Sequence, residues 1–119
     1  MPCPIMPACE TSLSLSVRVR WERENGIYEE NCTLPSLPHE LATLLFDRYA
    51  IHVSVIDVCD MGISFEVNAT RPCSLVLDNR RGRLSFGETV SLHFSFFREE
   101  AARPHLSAFV FLDLIRISD

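Results

Sequence analysis

The chain has 119 residues, a length that suits one domain burying about two-thirds of its unfolded surface. Apolar residues make up 47% and charged residues 23%, a globular balance that excludes disorder throughout. The formal net charge of −5 argues against a general nucleic-acid binder, which needs a clustered basic surface to neutralise phosphates.

Residues 1–10 carry three prolines together with Cys3 and Cys9 and show no periodicity, so they read as an arm ahead of a single domain over 11–119. Met1 to Pro7 lack a positive n-region and an apolar h-region, and no stretch reaches the roughly 20 apolar residues that cross a bilayer. The expected location is cytoplasmic or nuclear. On that expectation Asn31-Cys32-Thr33 and Asn68-Ala69-Thr70 are sequons by accident.

Leu13, Leu15, Val17, Val19 and Trp21 alternate with Ser14, Ser16, Arg18 and Arg20. That period of two predicts a strand with one buried and one wet face. Asn25-Gly26 follows as a turn, with a return strand from Ile27-Tyr28. Ser36 can cap a helix and Pro38 fits its first turn. Leu37, Leu41, Leu44, Leu45 and Tyr49 recur at spacings of three and four, and predict one main helix.

Strand returns with Ile51, Val53 and Val55, turns at Asp60-Met61-Gly62, and resumes with Ile63, Phe65 and Val67. Residues 74–78 read as a short strand and Asn79 to Gly82 as a turn bearing Arg80 and Arg81, with Arg83 just beyond. From Gly87 a further strand places Val90, Leu92, Phe94 and Phe96 on one face. Residues 99–104 read as a charged loop ending in proline.

The last segment is apolar on both faces. Leu106, Ala108, Val110, Leu112 and Leu114 share one, and Phe109, Phe111, Ile115 and Ile117 the other. Such a strand is central and covered on both sides, or it pairs with or packs against a second copy. Leu106, Phe109, Phe111, Leu112, Leu114, Ile115 and Ile117 are therefore the candidate oligomer interface. The expected fold is α+β, a mostly antiparallel sheet of about five to seven strands with one helix packed on it.

Catalytic and metal signals are absent from the sequence. His39, His52, His93 and His105 are scattered, with His52 and His93 on the strand faces opposite the apolar residues. The five cysteines form no C-x-x-C pair, and Asp57 and Asp60 beside Cys59 disfavour a reactive thiolate. No nucleophile elbow, phosphate loop, dinucleotide fingerprint or H-E-x-x-H occurs. No enzyme activity, cofactor or metal is expected.

Two resemblances follow from particular residues. Asp57-Val58-Cys59-Asp60-Met61-Gly62 resembles the D-x-S-x-x-G turn of PilZ domains, which implies a cyclic-dinucleotide module with Asp57, Cys59 and Gly62 at the ligand. Cys59 replaces the family's serine, and Arg18, Arg20 and Arg23 do not make its arginine spacing. The order of elements over residues 13–116 resembles the adenovirus early-region-four open-reading-frame-three family. The resemblance is carried by the Leu15–Val19 strand, the Leu37–Tyr49 helix, Gly62-Ile63-Ser64-Phe65 followed by Val67, Ser91-Leu92 with Phe96, and His105-Leu106 leading into Phe109 to Leu114. It implies a non-enzymatic, self-assembling viral early protein that captures host regulatory proteins in the nucleus.

Overall fold

The computed structural model describes residues 11–59, 61–71, 75–97 and 104–118, all of them strand or the short links between strands. The 1–10 arm with Cys3 and Cys9, and also Asp60, Cys73 and the 99–103 loop, lie outside the described residues. Eight strands follow one another: β1 (Thr11–Arg23), β2 (Gly26–Pro35), β3 (Leu41–Phe46), β4 (Tyr49–Cys59), β5 (Gly62–Arg71), β6 (Leu75–Ser85), β7 (Thr89–Phe97) and β8 (Pro104–Ser118).

They form two antiparallel four-stranded sheets, here called A (β2-β1-β8-β7) and B (β3-β4-β5-β6). Every neighbour within a sheet is a neighbour in sequence except β8, which closes on β1. The chain is therefore an up-and-down meander wrapped into two layers, parting only between β2 and β3 and between β6 and β7. Aromatic stacking of Tyr28 on Phe46 and the Arg23–Asp47 ion pair draw the first parting together. At the second, Arg80 reaches from β6 to the His93 carbonyl of β7 at 3.0 Å.

Alternation explains the core. Leu15, Val17, Val19 and Trp21 of β1 face Val110, Leu112 and Leu114 of β8 on one layer. Ile51, Val53, Val55, Ile63, Phe65 and Val67 face them from the other, and all belong to one continuous apolar cluster.

The expected α+β class is overturned: among the described residues there is no helix. The segment read as the main helix, Leu37 to Tyr49, is a link, the strand β3 and the start of β4. Ala42, Leu44 and Phe46 turn inward and Leu41 and Leu45 outward, so the segment satisfies a period of two as well as 3.6. A single short helix is marginal in water, whereas β3 gains a full ladder on β4 and covers Ile51 and Val53. Asp47, at φ 57°, makes the tight turn that the pairing of Phe46 with Tyr49 requires.

The turn expected at Asn79–Gly82 is also overturned, because β6 runs straight through it. Gly82 serves packing there: a Cβ would lie 2.8 Å from Phe65 Cζ, so only glycine leaves room for that buried ring. The extra residue at a register shift does turn one side chain. Between Phe96 and Phe97 the ladder skips His105, which is hydrogen-bonded to Tyr49 Oη of the opposite sheet at 3.1 Å.

Candidate functional site

Strand pairing lays the outward side chains of sheet A in rows. One row runs Asn31, Arg18, Phe111, Ser91 across β2, β1, β8 and β7, and the next runs Glu29, Arg20, Phe109, His93. The cations therefore stand beside rings on the adjacent strand. Arg18 Cζ is 4.7 Å from the Phe111 centroid, and Arg20 Cζ is 5.1 Å from that of Phe109. His93 stacks on Phe109 at 4.5 Å, 4° from parallel.

Phe109 and Phe111 remain half-buried, and Arg18 and His93 are exposed. Arg20 Nε lies 2.8 Å from Glu22 Oε2, an ion pair out of line for a hydrogen bond. The face can thus offer two flat apolar rings and two planar cations to a partner. It also carries Glu22, Glu29 and Asp113.

Sheet B presents a different outer face. His52 joins two threonines, Nδ1 to Thr43 Oγ1 and Nε2 to Thr70 Oγ1, each at 3.0 Å. Asn79 donates to Glu66 Oε2 at 2.8 Å and to Asn68, while Arg81 Nε donates to Glu66 Oε2 at 2.9 Å. The Asn79 and Arg81 hydrogen bonds hold the Glu66 carboxyl below its ordinary pKa.

Between the layers, Cys32 and Glu30 turn inward from the edge strand β2. Burial, with the nearby Glu30 charge second, pushes the Cys32 thiol pKa up. Glu30 Oε1 and the indole N–H of Trp21 are both buried without a hydrogen-bond partner. Trp21 is otherwise enclosed by rings, stacked on Phe46 at 5.4 Å and tilted against Phe96 at 6.2 Å.

The β8 residues expected at an oligomer interface divide sharply. Leu106, Leu112 and Leu114 are buried in the chain's own core. Phe109 and Phe111 lie outward on the sheet A face, and Ile115 is 39% exposed at its end. The side chain of Ile117 lies outside the described residues. Both edges of β8 are already paired, to β1 and to β7.

At the β4–β5 turn, Asp57 Oδ1 accepts from Val58 N at 2.9 Å and the Cys59 thiol donates to the Gly62 carbonyl at 3.6 Å. These groups thus build the turn itself. The histidines do not converge: His52 and His93 lie on opposite outer faces, and His105 is tied to Tyr49. Among the described residues no three His, Cys, Asp or Glu side chains are grouped to hold a metal ion. None of the described residues forms a helix long and apolar enough to cross a membrane.

Sequence reasoning found Phe109 and Phe111 but missed the residues that complete their face. The alternation in β1 already turned Arg18 and Arg20 outward; which strand they would stand beside was not legible. No protein-family model, curated protein or solved structure matches the chain.

Proposed function

We propose that the chain is a non-enzymatic interaction domain that associates with copies of itself, with the outer face of sheet A as the docking surface. One observation carries this reading. Phe109 and Phe111 project outward from the central strand of a sheet, flanked by cations and by neighbouring polar side chains, with no layer of the described chain packed over them. Aromatic rings and arginines in the middle of a flat face are the composition of an interface centre. His93, the imidazole of this face, is stacked on Phe109 and meets Ser95 Oγ only at 3.4 Å on the exposed edge strand, and this favours binding over chemistry.

The resemblance to the early-region-four family supports host nuclear regulatory proteins as further partners. The solution mass of the reduced protein, measured by light scattering across a concentration series, tests self-association. A dimer or larger species that grows with concentration is expected, and a monomer throughout would overturn the reading.

A further inference from the structure

We propose that two copies dock sheet A against sheet A about a two-fold axis running parallel to the strands, so that each copy's arginine strand covers the other's phenylalanine strand. The proposal rests on the self-association reading and adds the surface, the symmetry and the contacts.

The argument starts from the row geometry. Across the face the strands run β2, β1, β8, β7, with the cations on β1 and the rings on β8. Two sheets stacked face to face by a two-fold axis lying in their plane have two regular choices.

An axis along the strands, midway between β1 and β8, exchanges those columns between copies. Arg18 then stands over the second copy's Phe111, and Arg20 over its Phe109. The outer columns exchange too, and Glu29 of β2 comes over His93 of β7. Ser16 faces Asp113, and Glu22 faces Ser107. No like charges stand directly opposite, and the Arg18 side chains of the two copies sit over adjacent strands, about 5 Å apart.

An axis across the strands, between the two aromatic rows, returns each column to itself. Arg18 would then oppose Arg20 of the second copy twice, while Phe109 met Phe111. Opposed like charges in a drying interface are disfavoured. The charge pattern therefore selects the strand-parallel axis.

The contact exchanged is one each copy already makes with itself, Arg18 at 4.7 Å from Phe111 and Arg20 at 5.1 Å from Phe109. Making it between copies removes both groups from water, where the attraction of a cation for a ring strengthens. Sheet twist turns facing strands about 30° apart, so the match is best at the centre, where these two rows lie. A polyanion fits the same face less well, because Glu22, Glu29 and Asp113 stand among the arginines and repel phosphate.

Arg20→Glu decides between the two axes by the sign of its effect. With the strand-parallel axis, the new carboxylate meets the ring face of Phe109, and the dimer dissociation constant should rise roughly tenfold or more. With the crossed axis, the same carboxylate would meet Arg18 of the second copy and tighten the dimer, overturning the proposed symmetry. Mixing the R18E/R20E chain with the F109R/F111R chain should restore a dimer that neither forms alone, since opposite charges then face each other.

A wild-type oligomer indifferent to all four substitutions would overturn this interface while leaving self-association standing. A wild-type monomer would overturn both. A monomer that binds a labelled single-stranded oligonucleotide through Arg20 would assign the face to a polyanion instead. Thermal melts of each variant show that it folds, and Arg81→Glu on sheet B, expected to leave the mass unchanged, is the control.

Discussion

On sheet B the outward side chains of the middle strands are tied to one another. His52 binds two threonines, and Glu66 takes two donors onto a single oxygen. On sheet A the corresponding positions hold Phe109, Phe111, Arg18 and Arg20, linked by ring–cation contacts that leave part of the rings open to water. Both faces come from the same antiparallel alternation. A hydrogen bond is saturated by its partner, whereas an apolar surface can still be buried by another. The middle strands of sheet B are closed by hydrogen bonds, and Leu41, Leu45, Val76 and Leu77, exposed apolar side chains of that sheet, stand on its edge strands β3 and β6, whereas sheet A carries its rings at the centre.

That contrast is tested most strongly on β8, where the two faces of one strand can be separated. Leu112→Ala, on the inner face, should destabilise the chain by about 2–5 kcal/mol through the cavity it leaves. Phe111→Ser, one residue away, should cost less than about 2 kcal/mol, because the ring is only half-buried, yet should weaken association. Denaturant unfolding beside light scattering reads both. Equal stability losses with unchanged mass would make Phe111 an ordinary packing residue.

A smaller effect is expected on sheet B. His52→Ala removes the bridge between Thr43 and Thr70 and should lower stability by about 1 kcal/mol with no change in mass. A change of mass would move the docking face to sheet B.

The smallest effect concerns acid. The folded pKa of Glu66 is depressed, so its contribution is present above the unfolded value and is lost as the pH falls through the carboxylate range. Glu66→Gln should flatten the stability profile slightly between about pH 5 and 3. An unchanged slope would show that water screens the Asn79 and Arg81 contacts completely.

Much of the sheet pattern was legible before the structure. The inward sets of β1, β5 and β7 were read directly, and so was the two-faced character of β8. The segment from Leu37 to Tyr49 was misread because its leucines recur at helical spacing, while the inward set of the strand is Ala42, Leu44 and Phe46 and leaves Leu41 and Leu45 outside. Gly82 was misread as a turn residue because its true constraint, the ring of Phe65, comes from another strand. At the candidate site the rings were found and the arginines were missed. Arg18 and Phe111 are far apart in sequence and meet only through the β1–β8 ladder.

The sequence by itself determined the inward sets of β1, β4, β5 and β7, since a strand's period of two is a property of its own backbone. The tertiary structure alone decided that Leu41–Phe46 joins a sheet, that β8 closes on β1, and that two arginines stand beside two phenylalanines. Those outcomes depend on register and strand order, which arise from pairing between distant segments and from the burial that pairing makes possible.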